Sequence, residues 1–328
     1  MIRVNRLNVF IPDRLRTDIK SLGKTETEEA KEFFQKRAEA RAKAAALVLP
    51  MGEEKKGKKK KDETEVSFKF KAYSGGNVKL TLKKLFHDKC GYCEIDYGGA
   101  VSDIEHFRPK GALEHELPTE VNTHSDGYYW LGADWDNLIY SCQHCNRGET
   151  HDLIDQVMAA PRRRVSGKCN FFPLSDETQR LKPCDPVDAE EPYRLLLDPC
   201  RDDPRLHLEF QEDGFVKPRL IDDRPSKIGS ASIRLYGLRR LPLLERRRDR
   251  ATNLMYAIAK LNDALAALRG DLHNASKRAK VCKDLSYIRT SYLAPERPFL
   301  AMCRTLFIRH VNLKSIAKDL SAKHDAAA

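Results

Sequence analysis

The sequence predicts an α+β fold in which a small zinc-stapled core is preceded by a helical arm and followed by a mixed, then helical, C-terminal region. Three features predict it: a charged run of helix formers near the N-terminus, two Cys-x-x-Cys pairs flanking a long insert, and an apolar stripe at helical spacing near the C-terminus. On these features the chain divides into a helical arm with a lysine-rich linker (1–65), a central domain holding both cysteine pairs (66–165) and a C-terminal region (166–328).

From Glu28 to Ala46 the residues are mostly Glu, Lys, Arg, Ala and Phe, and this composition predicts a charged helix that serves as a packing or contact arm. The run Lys55 to Lys61, broken only by Gly57, follows Pro50 and Gly52. Like-charge repulsion and the lack of apolar residues make it a linker, either a solvated loop or an arm for an anionic partner. After Gly75 and Gly76, Val78, Leu82 and Leu85 fall at helical spacing, so a helix should deliver the chain to Cys90. Pro161, Pro173, Pro183, Pro186, Pro192 and Pro199 exclude long helices and predict loops with short strands. The character changes near Ser226. Leu254, Ile258, Leu261, Leu265 and Leu268 recur at steps of four, three, four and three, with Gly270 as a stop, and form a helix-packing face.

With 328 residues the chain can bury a substantial core, and its formal net charge of +11 favours an anionic partner. The mean hydropathy is −0.59, no apolar run reaches membrane-spanning length, and MIRVNRLNVFIPDRL lacks the continuous apolar region of a secretory signal. A cytoplasmic protein with no membrane partner is expected. Nine cysteines in a reducing compartment point to metal and thiols, not to disulfides. Cys169, Cys184, Cys200, Cys282 and Cys303 are scattered and read as buried or half-buried thiols.

The chemistry lies between the paired cysteines. Cys90-Gly91-Tyr92-Cys93 alone is a weak signal, but Cys142-Gln143-His144-Cys145 adds two further thiolates, and four thiolates as two local pairs suit tetrahedral Zn²⁺. With all four positions filled by protein, such a zinc is structural. Neither pair is followed by His, which excludes c-type haem attachment. The insert between the pairs is too long for a minimal zinc ribbon, and it contains Asp103-Ile104-Glu105-His106-Phe107-Arg108-Pro109-Lys110. Val101 to Phe107 reads as a short strand that Pro109 interrupts, with His106 close to its end. A lone His there is ordinarily structural. This one follows Glu105, while Asp136-Asn137-Leu138 precedes the second pair and Asn146-Arg147 follows it.

In this order Cys90 and Cys93, Glu105-His106, Asn137, and Cys142, Cys145 and Asn146 resemble the HNH nucleases, also called ββα-metal or His-Me finger nucleases. The resemblance implies that His106 is the general base, that Glu105 and Asn146 bind a catalytic Mg²⁺ or Mn²⁺, and that Asn137 braces the loop. Glu in place of the commoner Asp, and Asn as the last letter, are mild departures from the family pattern, and Asp103 is an alternative carboxylate behind the ligands. Oxygen donors suit Mg²⁺ better than zinc, so two different metals are expected. Arg108, Lys110 and Arg147 flank these residues and are candidates for phosphate contacts, or ordinary surface cations. Beyond the core, DIEHFRPK, YYWLGADWDNLIYSCQHCNRG, NFFPL, LLLDPCRDDPRLHLEF, IRLYGL and PERPFLAMCR are similar to HNH proteins of bacterial anti-phage systems, the retron-associated and Septu-type effectors. That similarity covers most of the chain after Lys69 and implies an ATPase partner and a nucleic-acid substrate, expected to be DNA.

Two other readings stay open on the sequence: a non-catalytic four-cysteine module that binds nucleic acid or protein, and an RNase, because the metal chemistry does not distinguish the sugar. A phosphate loop at Leu22-Gly23-Lys24-Thr25 fails, because Asp18 stands where the motif requires Gly.

Overall fold

The computed structural model describes residues 1, 3–6, 9, 11–12, 15, 25–47, 68–96, 101–114, 126–156, 160–183 and 185–311. Lys55 to Lys61 and Cys184 lie outside these residues. The architecture is mixed α+β, with two-stranded antiparallel sheets between helices.

Helix α1 (Glu26–Leu47) is the charged arm. It starts at a capping box: Thr25 Oγ1 accepts from Glu28 N at 3.1 Å, and Thr25 N donates back to Glu28 Oε2 at 2.8 Å. The acidic residues Glu26, Glu28 and Glu29 in its first turn complement the helix dipole. The helix is held against the body of the protein. Glu26 accepts from Ala72 N at 2.9 Å, Phe34 stacks on Tyr129 at 4.5 Å, and Arg41 pairs with Asp126 at 2.8 Å.

Helix α2 (Gly76–Leu85) buries Val78 and Leu82 and leads to the first cysteine pair. Two left-handed residues, His87 and Asp88, turn the chain into Cys90. Strand β1 (Ser102–His106) pairs with β2 (Leu138–Cys142) in a register running from Ser102 opposite Cys142 to His106 opposite Leu138. Every residue of β2 is buried, and the strand passes directly into the one-turn helix α3 (Gln143–Asn146). The four cysteines, β1, β2 and α3 thus form one ββα unit. Strand β3 (Glu149–Leu153) pairs with β4 (Arg162–Ser166) immediately after it.

The proline-rich stretch beyond β4 forms 3₁₀ turns and loops. Two further short ribbons follow, β5 (Leu208–Phe210) with β6 (Val216–Pro218) and β7 (Leu220–Ile221) with β8 (Arg224–Pro225). Helical structure resumes after Pro225, where Ser226 Oγ caps α4 (Lys227–Leu235) by accepting from Gly229 N at 3.1 Å. In α5 (Leu241–Arg269) the predicted stripe is buried at Leu254, Ile258, Leu261 and Leu265. It packs against α6 (Ala275–Ile288) and α7 (Leu300–His310). No described helix is long and apolar enough to cross a membrane. Of the scattered thiols, Cys303 is buried and Cys169 and Cys200 are half-buried, whereas Cys282 is exposed on α6, contrary to expectation.

The C-terminal region grips the ββα unit in two ways. Tyr236, at the end of α4, stacks on Tyr92 between the first two cysteines with ring centroids 4.0 Å apart. A buried ion network supplies the second grip. Arg108 Nε donates to Glu190 at 2.8 Å and its other end to Glu191 at 2.9 Å, while Arg194 binds Glu191 and Asp202 at 2.7 Å each. Glu190 also accepts from Tyr128 Oη at 2.6 Å and Leu181 N at 3.1 Å. Breaking a buried pair leaves an uncompensated charge, which costs more than the pair contributes in place. Glu190→Ala is therefore expected to destabilise the protein by about 3–5 kcal/mol, read as a lowered urea midpoint. A change below about 1 kcal/mol would show that the network is not holding the two regions together.

Candidate zinc staple and catalytic cleft

The thiols of Cys90, Cys93, Cys142 and Cys145 are buried, and their Sγ atoms all lie within 4.8 Å of one another. A tetrahedron of Zn–S bonds of about 2.3 Å has S···S edges of about 3.8 Å. The Cys93 and Cys142 sulfurs are 3.9 Å apart. Burial pushes the Cys90 thiol up, whereas donors beside the sulfurs favour thiolates. Cys142 N donates to Cys90 Sγ at 3.3 Å, and both terminal nitrogens of buried Arg240 reach Cys145 Sγ at 3.5 Å. Four thiolates around a divalent cation carry net negative charge, which a buried guanidinium offsets. Burial disfavours that charge on Arg240, but the thiols of Cys145, Cys93 and Cys142 hold its pKa above the ordinary arginine value. The four buried cysteines can therefore bind zinc, with no position left for water.

Beside β1 lies a cleft of about 450 Å³ lined by Asp103, Glu105, His106, Lys110, Asn146 and Arg147, among others. Glu105 and His106 are adjacent in a strand and would ordinarily face opposite ways. His106 is the last residue of β1, the chain bends after it, and both residues line the cleft.

His106 has a fixed tautomer. Its Nε2 lies 2.9 Å from Gly132 O, and because a carbonyl only accepts, Nε2 carries the proton and Nδ1 keeps its lone pair. Nδ1 meets Lys110 Nζ at 3.1 Å, and Tyr73 packs edge-on against the ring at 4.5 Å. Burial, helped by the Lys110 ammonium, pushes the imidazole pKa well below its ordinary value. Lys110 itself is pulled down to about 8 by burial, with Glu105 acting against that shift.

Asn137 braces this geometry. Its Oδ1 accepts from Arg108 N at 2.7 Å, and its Nδ2 donates to Arg108 O at 3.0 Å and Leu131 O at 3.1 Å. One side chain thereby ties the bend after His106 to the turn that presents Gly132 O. Asn146 Nδ2 donates to Asp103 Oδ2 at 3.0 Å, and Arg147 binds both oxygens of Asp103 at 2.8 and 3.0 Å. Lys110 and Arg147 border the cleft. Arg108 does not, because its guanidinium is buried against Glu190 and Glu191.

Two residues that sequence reasoning missed complete the picture. Lys168 is fully buried and donates to Glu105 Oε1 at 2.7 Å and His106 O at 3.0 Å. Burial raises the Glu105 pKa, and the Lys168 ammonium opposes that rise. Its segment runs tightly beside α3: Lys168 N donates to Cys145 O at 2.8 Å and Cys169 N to Asn146 O at 2.7 Å. Gly167, at φ +130°, permits the approach, since a Cβ there would stand 1.8 Å from Arg147 O. The other missed residue is Arg240, from a distant helix start. Neither carries a local motif, so no sequence signal marked them.

Fold and site together define a mixed α+β protein built on a four-cysteine ββα unit with a polar cleft beside it. No protein-family model matches the chain. Among curated proteins it is 36% identical over 244 residues to Septu protein PtuB of Bacillus mycoides (strain KBAB4), covering 71% of this chain and 74% of that protein. A second relative, Septu protein PtuB of Bacillus thuringiensis, is 35% identical over 87 residues, 26% of this chain and 28% of that protein. The chain also matches Septu protein PtuA of B. mycoides (strain KBAB4) at 28% identity over 166 residues, 51% of this chain but 20% of PtuA. The chain belongs to the PtuB family of Septu anti-phage defence proteins.

If the staple holds the ββα unit as described, the purified protein carries about one zinc per chain, and Cys90→Ser or Cys142→Ser abolishes folding. Elemental analysis and thermal melts check both, and full thermal stability in a zinc-free preparation would contradict the assignment.

Proposed function

We propose that the protein is a metal-dependent HNH-type endonuclease that hydrolyses phosphodiester bonds, with DNA as its substrate, and acts as an effector of anti-phage defence. One arrangement carries the reading. His106, held by Gly132 O through Nε2 and keeping an unprotonated Nδ1, shares a cleft with Glu105, Asp103 and Asn146 beside the staple. Hydrolysis needs an activated water, neutralisation of phosphate charge and support for the leaving oxygen.

In this reading Nδ1 of His106 takes the proton from water, and its depressed pKa keeps it available as a base at neutral pH. Glu105 and Asn146 supply oxygen donors for Mg²⁺ or Mn²⁺, and Asp103 stands behind Asn146. The bound cation would neutralise phosphate charge and assist the leaving oxygen. Burial raises the Glu105 pKa, and the Lys168 ammonium bonded to Oε1 acts against that rise and favours the carboxylate form. Lys110 and Arg147 are the phosphate contacts, and a phosphate would draw the Lys110 ammonium away from Nδ1. The net charge of +11 supports an anionic substrate. Likeness to both PtuB and PtuA supports a partner within the same system, proposed to be an ATPase that restrains the nuclease and docks on α1 or the C-terminal helices.

The test is digestion of plasmid DNA and of a structured RNA, with and without Mg²⁺ and the partner. His106→Ala is expected to lose about 10²- to 10⁴-fold in rate with zinc content and DNA binding unchanged. Glu105→Ala and Asn146→Ala should instead weaken the response to Mg²⁺, so that raised metal partly restores cleavage. If His106→Ala cuts like the parent protein, or the folded protein with its partner cuts nothing in Mg²⁺ or Mn²⁺, the nuclease reading fails and a non-catalytic zinc module replaces it. Cleavage of the RNA alone would make the protein an RNase.

DNA affinity should also fall steeply across a salt series, because basic residues are spread widely along the chain. A flat response would count against electrostatic binding.

A further inference from the structure

We propose that His144, Glu149 and His151 form a second divalent-metal site, separate from the thiolate staple and from the cleft, that takes an imidazole-seeking ion such as Zn²⁺, Ni²⁺ or Co²⁺. Glu149 and His151 are two residues apart on β3 and so share one face of the strand. His144 projects from α3 towards that face. One ligand atom from each of the three lies within 4.8 Å of the others. His144 Nδ1 is 2.6 Å from Glu149 Oε2, and His151 Nε2 is 3.8 Å from the same oxygen. Metal–ligand bonds of about 2.0–2.2 Å place neighbouring donor atoms about 3.0–3.5 Å apart, between these two values. The imidazoles meet edge to face with centroids 5.2 Å apart, which leaves both nitrogens turned to one carboxylate.

A hydrogen-bonded pair accounts for His144 and Glu149 but leaves His151 unexplained. Its Nε2 is buried and has no hydrogen-bond partner, an arrangement that costs free energy unless something binds there. The neighbouring cations are engaged elsewhere, Arg240 on Cys145 Sγ and Tyr236 O and Arg164 on Asp155. Two imidazoles and one carboxylate select zinc, nickel or cobalt over Mg²⁺ and leave a coordination position open to water. A metal here would tie α3 to β3 across Asn146-Arg147-Gly148, clamping both ends of the segment that carries Asn146. The site stands on its own geometry, whether or not the cleft is catalytic.

The experiment is a calorimetric titration with Ni²⁺ of untagged protein that retains its structural zinc, compared with the His144→Ala, His151→Ala double variant and with Glu149→Gln. The parent protein is expected to bind one more equivalent of Ni²⁺ than the double variant, and Glu149→Gln to bind it at least about tenfold more weakly. After weakly held ions are removed by dialysis, the staple zinc and the melting temperature should be the same in all three proteins. Any Ni²⁺ in the cleft appears equally in all three proteins and cancels. Should the double variant fold poorly, the single His144→Gln change at an exposed position gives the same comparison. Equal stoichiometry and affinity in parent and variants would overturn the proposal and leave an ordinary imidazole–carboxylate pair.

Discussion

The convergence of Cys90, Cys93, Cys142 and Cys145 on one point is the constraint on which the rest of the ββα unit depends. A long insert separates the two pairs, and closing such a loop costs entropy that the two short strands of one ribbon cannot offset alone. A shared metal ion would close it outright. With the pairs joined, Cys142 faces Ser102 and the β1–β2 register follows residue by residue to His106 opposite Leu138. A slip of one residue would turn Glu105 and Asp103 to the other face. The staple thus sets which side chains reach the cleft, although none of its own atoms enters it.

The four-cysteine cluster does not complete that geometry by itself. Arg240 brings a buried guanidinium to Cys145, and Lys168 brings an ammonium to Glu105, both from segments beyond the second cysteine pair. Each meets negative charge that the central unit creates. Arg108 shows the same dependence in reverse, reaching out of the unit to Glu190 and Glu191. The C-terminal region is therefore the counter-ion and the wall of the core. One continuous apolar cluster accordingly joins Ala72, Tyr92 and Leu138 to Tyr236, Leu254 and Leu306.

The order of polar contacts around His106 shows how a short strand can serve a site from two adjacent residues. Asn137 holds the Arg108 backbone and Leu131 O, the turn presents Gly132 O, and Gly132 O fixes the imidazole. Two of these three links are backbone carbonyls, which any residue supplies. That is why Asn137 stood out in the sequence while the carbonyl that fixes the imidazole tautomer did not.

The sequence by itself determined what rests on local spacing. Paired thiols three residues apart, helical periodicity in α2 and α5, the helix-forming composition of α1, and the strand ended by Pro109 are each set within a few residues, where chain geometry leaves few alternatives. Membership of the Septu family was legible for the same reason, since the quoted segments carry those patterns in order. Tertiary structure alone decided which charge meets which. Lys168 against Glu105, Arg240 against Cys145 and Arg108 against Glu190 join residues far apart in the chain, and a basic residue in sequence looks the same whether its partner is a phosphate, a thiolate or a buried carboxylate. Burial assigns the partner, because an ion taken out of water must be paired, and only the folded chain fixes which ions leave the water together.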